Sequence, residues 1–194
     1  MRQKVLEEHY IHRLPGATLM MRMSKTVPPL APQGIRRLEY LEVHTTATEE
    51  RLYPGNVFTL FVDVHPRRGV HVYAPGSHDY QGLRVALEEN SYVKVRAVQY
   101  APAETLTLPL LGEELPVYSR PVRVSIDAAL VSRLDMAPLL ESGEPLVIRG
   151  TIHLQACDDR VCWPPQTFPL EWRFPIIPPD LERSPESMRH QPRG

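Results

Sequence analysis

The chain holds 194 residues, enough for one domain with extensions or for two very small ones. Its Leu, Ile, Val and Phe number 52, about 27% of the chain, above the roughly 20% below which chains stay disordered, so a hydrophobic core is within reach. A formal net charge of −1 leaves no basic field for a nucleic-acid backbone, and 21 prolines against 10 glycines argue against a helical bundle.

Residues 1–34 read as an N-terminal extension. Met1-Arg2-Gln3-Lys4-Val5-Leu6-Glu7-Glu8 places acidic residues where a signal peptide needs its apolar run, which implies a cytosolic chain or one whose leader or upstream domain lies elsewhere. Val5 to Met23 has weak helical periodicity broken at Pro15-Gly16. Val27-Pro28-Pro29-Leu30-Ala31-Pro32-Gln33-Gly34 then reads as a linker, because each proline blocks helix continuation and sheet pairing.

From about Arg36 the pattern turns to strands, beginning with one marked by Leu38, Tyr40 and Val43. Tyr53-Pro54-Gly55-Asn56 is a turn into Val57 to Val64, a run rich in β-branched and aromatic residues. Further strands are expected at Val70 to Ala74, Leu83 to Leu87, Val93 to Ala97 and Val122 to Asp127. Residues 101–118, with Pro102, Pro109, Gly112 and Pro116, read as irregular. Only Leu130 to Leu140 suits a short helix, limited by Pro138. Leu146 to Leu154 and Thr167 to Phe174 complete the set, and the tail 178–194 is expected to fray. Seven or eight short strands with almost no helix describe an all-β antiparallel β-sandwich over 35–177. No stretch approaches the roughly 20 apolar residues that cross a bilayer as a helix.

Cys157 and Cys162 are the only two cysteines. The four residues between them, Asp158-Asp159-Arg160-Val161, suit a hairpin loop that sets the cysteines opposite each other. Opposed residues on antiparallel strands have Cα atoms roughly 4.5–5.5 Å apart, within disulfide reach. Three readings stay open at this point. A staple is weakened by chain entropy, since a loop of about six residues contributes roughly 2.2 kcal/mol against about 4.7 for one of 100. A metal site is weakened because only scattered groups (His153, Asp158, Asp159, with His71 and His78 farther off) stand available as further ligands. A redox pair needs only access and a suitable potential. Charge is mixed, with Asp158 and Asp159 disfavouring a thiolate and Arg160 favouring one.

Gly150-Thr151-Ile152-His153-Leu154-Gln155-Ala156-Cys157-Asp158-Asp159-Arg160-Val161-Cys162-Trp163-Pro164-Pro165, followed by Pro169-Leu170-Glu171-Trp172, resembles the N-terminal periplasmic domain of the DsbD thiol:disulfide interchange proteins. Gly69-Val70-His71-Val72-Tyr73-Ala74-Pro75-Gly76 and Leu115-Pro116-Val117-Tyr118 resemble two further signatures of that domain, in the same order, across Leu38 to Pro175. Glu7-Glu8-His9-Tyr10 and Leu19-Met20-Met21-Arg22-Met23 resemble the stretch that joins a redoxin to a DsbD-like C-terminal module in some bacterial proteins.

The resemblance implies an immunoglobulin-like sandwich in the periplasm. Its cysteine pair takes electrons from a thioredoxin-like partner, or from a fused or neighbouring redoxin domain, and passes them to oxidised extracytoplasmic proteins. Such a protein-disulfide reductase component needs no cofactor and no metal. By position, Cys162 corresponds to the cysteine that forms the mixed disulfide and Cys157 to the one that resolves it. His71 and Tyr73 fall where the family places aromatic residues beside the cysteines, and His71 is a departure that suggests influence on proton transfer. The family's cap loop corresponds to Leu108 to Tyr118. Its aromatic shield is missing here, leaving Leu111 or Leu115 in that place, with Tyr118 and Trp163 as further supporting residues. The membrane-embedded conduit and the thioredoxin-like C-terminal domain of the family are not among these 194 residues, which implies a relay that does not itself move electrons across a membrane. The alternative is a non-catalytic immunoglobulin-like interaction module with a structural hairpin disulfide.

Overall fold

Successive side chains on a strand project to opposite faces, so an alternating sequence puts one face in the core and one in water. The computed structural model, which describes residues 32–77, 80–108 and 113–178, is built on that alternation. The strands are β1 (Pro32–Arg37), β2 (Leu41–Ala47), β3 (Val57–Pro66), β4 (His71–Tyr73), β5 (Arg84–Leu87) and β6 (Val93–Tyr100). They continue with β7 (Glu104–Leu108), β8 (Glu113–Tyr118), β9 (Val122–Leu130), β10 (Leu146–Leu154), β11 (Ala156–Cys157) and β12 (Gln166–Phe174). One short helix, α1 (Ala137–Ser142), lies between β9 and β10.

The strands form three antiparallel sheets, ordered β1-β2-β3-β9-β6, β12-β10-β5 and β11-β4-β8-β7. Phe58, Leu60, Val62 and Val64 of β3 and Val122, Val124, Ile126 and Ala128 of β9 face inward from the first sheet. Ile148, Ile152 and Leu154 of β10 and Phe168, Leu170, Trp172 and Phe174 of β12 face them from the second, in one continuous core. Trp172 is wholly buried, and its Nε1 donates to the Thr46 carbonyl across the layers at 3.0 Å. This is the antiparallel β-sandwich expected from the alternation.

Several boundaries differ from the sequence reading. The first strand begins at Pro32, inside the expected linker, and the chain turns between Arg37 and Leu41. Proline is tolerated there because β1 is an edge strand, and the register shifts between Pro32 and Gly34. The expected irregular stretch contains β7 and β8, paired antiparallel from Glu104↔Val117 to Leu108↔Glu113. Pro116 fits because its carbonyl does the work a strand asks of it, accepting from the Ala74 N–H at 2.8 Å. Pro138 opens α1 instead of breaking it, since the first helical turn has N–H groups without intrahelical partners anyway. Residues 1–31 and the tail from 179 lie outside the described residues, as do His78 and Leu111.

Two of the connections between the second and third sheets pass close together. The chain leaves β10 for β11 at Gln155, and leaves β4 for β5 beyond Ala74. The Tyr73 N–H donates to the Gln155 carbonyl at 3.1 Å, and the Leu83 N–H to the Tyr73 carbonyl at 2.7 Å. The cysteines sit at this seam.

Candidate functional site

β11 is two residues long and lies beside β4, with Ala156 opposite Val72 and Cys157 opposite His71. Opposed residues share a face of the sheet, as do residues two apart on one strand. Cys157, His71 and Tyr73 therefore project together. β8 and β7 extend that face with Val117 opposite Tyr73, Leu115 two residues earlier, and Leu106 opposite Leu115. Cys157, Tyr73, Leu115 and Val117 form a small apolar cluster, with Leu106 and Tyr80 packed on it. The other face sends Val72, Ala156 and Tyr118 into the main core.

After Cys157 the chain reverses within four residues. The Asp158 N–H donates to the Val161 carbonyl at 2.9 Å, and the Trp163 N–H to the Ala156 carbonyl at 2.9 Å. Asp158 Oδ1 accepts from the N–H groups of Arg160 at 2.7 Å and Val161 at 2.6 Å, the side-chain mimic of a backbone turn that Asp readily supplies. Those two donors hold the Asp158 carboxyl below its ordinary pKa. The turn brings Cys157 and Cys162 into an antiparallel bridge with Cα atoms 4.1 Å apart, and their sulfurs are joined in a disulfide.

The two sulfurs differ in environment. Cys157 is 1% exposed, whereas Cys162 lies at the surface next to Val161, itself 49% exposed. The Tyr73 hydroxyl stands 3.2 Å from Cys157 Sγ and 3.9 Å from Cys162 Sγ. The Tyr73 ring meets His71 edge-on at 5.6 Å and is stacked on Tyr80 at 4.2 Å. Partial burial pushes the His71 pKa below the ordinary imidazole value, and the Asp159 and Asp158 carboxylates oppose that shift without reversing it. Its neutral form is favoured. Among the described residues, no group of three or more His, Cys, Asp or Glu side chains is placed to hold a metal ion.

With this geometry in place, the family comparison is decisive: the model for "Thiol:disulfide interchange protein DsbD, N-terminal" matches residues 40–169. The chain belongs to this family. Its sandwich is the immunoglobulin-like architecture expected of DsbD N-terminal domains. Among solved structures, the Neisseria meningitidis DsbD N-terminal domain in the reduced form is 16% identical, with 68% of this chain and 83% of that one covered and a TM-score of 0.42. The N-terminal periplasmic domain of ScsB from Proteus mirabilis is 14% identical, with 74% and 51% covered and a TM-score of 0.47. A complex between the DsbD and PilB N-terminal domains of Neisseria meningitidis is 15% identical, with 59% and 73% covered and a TM-score of 0.38. No curated protein sequence matches the chain.

Of the residues singled out from sequence, Cys157, Cys162, His71, Tyr73 and Leu115 come together. Two do not. Tyr118 is opposite Val72, not Tyr73, so period two turns its ring away from the sulfurs into the main core, where its hydroxyl donates to the Ala101 carbonyl at 2.8 Å. Trp163 stacks on Tyr40 at 4.2 Å and packs against the main core. Leu111 lies outside the described residues. Sequence reasoning missed Val117 and Leu106, which alternation with Leu115 would have indicated once β7 and β8 were recognised. It also missed Tyr80, for which the sequence carries no periodic signal.

Proposed function

We propose that this domain is a thiol–disulfide exchange relay, in which Cys162 is the sulfur attacked by partners and Cys157 the leaving and resolving sulfur. The observation that carries the reading is the unequal access of two sulfurs already bonded to each other: Cys162 at the surface, Cys157 buried beneath it. A thiolate of a reduced, thioredoxin-like dithiol attacks Cys162 Sγ in line with the bridge. A mixed disulfide forms, the Cys157–Cys162 bond breaks, and the electron pair departs on Cys157. The second partner thiolate then attacks its own neighbour's sulfur and releases Cys162. The partner has lost two electrons and this domain has gained them. Running the steps in reverse with an oxidised substrate delivers the electrons onward. The Tyr73 hydroxyl, 3.2 Å from Cys157 Sγ, is the donor available to the departing thiolate.

We read the relay as periplasmic, with oxidised extracytoplasmic proteins as acceptors, a reading that membership of the family supports. No helix among the described residues is long and apolar enough to cross a membrane. We place the functional unit at 35–177, between the extension and the tail.

Two measurements test the reading. Cys157→Ala should accumulate a mixed disulfide with a thioredoxin-like partner through Cys162, whereas Cys162→Ala should trap little, because Cys157 is buried. Equilibration in glutathione should give a reduction potential above about −300 mV, the level below which structural disulfides typically lie. A potential well below that level, together with no trapped partner, would replace the relay with a hairpin staple in an interaction module.

A further inference from the structure

We infer that Tyr80 is a positioning residue for the exchange: its ring holds the Tyr73 hydroxyl against Cys157 Sγ, an assignment that rests on the relay reading above. A tyrosine's hydroxyl oxygen lies on the long axis of its ring, so its place is set by the first side-chain torsion, and packing against the ring face decides which staggered well that torsion keeps. Tyr73 places that hydroxyl 3.2 and 3.9 Å from the two sulfurs. His71 meets the ring only edge-on, while Tyr80 lies against its face, 4.2 Å away and within 15° of parallel.

Tyr80 belongs to the connection between β4 and β5, and its neighbours are tied to the strands that carry the site. The Gln81 N–H donates to Gln155 Oε1 at 3.1 Å, and Gln155 directly precedes the strand bearing Cys157. Ser77 Oγ lies 3.0 Å from the Ala74 carbonyl and 3.2 Å from that of Pro116, and the Tyr80 N–H donates to the Ser77 carbonyl at 3.4 Å. Gly82 lies so near the Ala74 carbonyl that a Cβ there would stand 2.5 Å from the oxygen. The connection is thus clamped to β4, β8 and the approach to β11, and Tyr80 is delivered with the sulfurs as one unit.

When a partner thiolate forms its bond to Cys162 and the pair leaves on Cys157, a Tyr73 O–H held in place donates to the new thiolate. That stabilises the reduced form and speeds departure. A Tyr73 ring free to swing loses both effects. Tyr73 is the catalytic residue here, and Tyr80 acts through it.

The test is a double-mutant cycle in the full chain, read by glutathione equilibration and by the rate of reduction with a dithiol. Tyr80→Ala is expected to shift the equilibrium about tenfold toward the disulfide, equivalent to about 30 mV more reducing for a two-electron couple, and to slow reduction several-fold. Tyr73→Phe should give the same shift, the double variant no more than either single one, and Tyr80→Phe should restore the wild-type value. Tyr80→Leu keeps bulk without a flat face and should shift in the same direction, so it reports if the alanine variant does not fold. Wild-type potentials in Tyr80→Ala and Tyr80→Leu, or additive shifts in the double variant, overturn the assignment. A wild-type bridge that no dithiol opens would instead overturn the relay reading itself.

Discussion

His71 is the imidazole that shares a sheet face with Cys157, and its half-buried ring gives the site a defined response to pH. Its folded pKa lies below the ordinary value of about 6.5. Between those two values the unfolded chain binds more protons than the folded one, so stability rises with pH through that window. The penalty is absent above about 6.5 and complete below the folded pKa. Urea midpoints measured across this range should therefore climb more steeply for the wild type than for His71→Phe, which keeps a ring but does not titrate. Equal slopes would place His71 in water. Tyr73 shows the same logic from the other side. Its hydroxyl is a polar tip on a buried ring, and it ends at the sulfurs.

At the scale of elements, the bridge from β11 to Cys162 makes a modest contribution to stability that the fold does not depend on. Closing a loop of about six residues is worth roughly 2 kcal/mol by chain entropy. Reduction should lower the unfolding free energy by about that amount and leave the far-ultraviolet circular dichroism unchanged. Collapse of the fold on reduction would show that the bridge is structural. β10 is a stricter element. Gly150 faces Leu87 and Leu170 across its two neighbouring strands, and a Cβ there would stand 2.5 Å from the Ala86 carbonyl. Gly150→Ala should cost about 1–3 kcal/mol, typical of overpacking, read as a lower urea midpoint with an unchanged slope. The hairpin β7–β8 marks where reading elements from sequence met its limit. Leu106, Leu115 and Val117 alternate correctly, but prolines at 102, 109 and 116 hide the pattern. Proline signals irregularity only when its missing N–H is needed, and Pro116 contributes through its carbonyl.

At the scale of the molecule, one core spans the five-stranded sheet and both smaller ones. Trp172 is wholly buried within it, and its indole N–H donates to the Thr46 carbonyl of the facing sheet. Trp172→Ala should cost about 3–5 kcal/mol, by equilibrium urea unfolding, with a further penalty for the carbonyl left without its donor. A change below about 1 kcal/mol would mean that the layers close over the gap.

Local pattern was enough to determine that this chain is a β-sandwich, because strand alternation is a property of neighbouring residues. The four residues between the two cysteines likewise pointed to a hairpin that sets the sulfurs face to face, because so short a loop returns the chain beside itself. Which further side chains join the sulfurs, and which expected ones turn away, was decided only by the tertiary structure. Tyr80 reaches Tyr73 because a connection is clamped back onto β4, β8 and Gln155. Tyr118 turns away because register at β4–β8 pairs it with Val72. Register and clamping are long-range pairings, and no periodicity along the chain encodes them. The buried and exposed sulfurs likewise acquire their difference only when the four-stranded sheet closes over one of them.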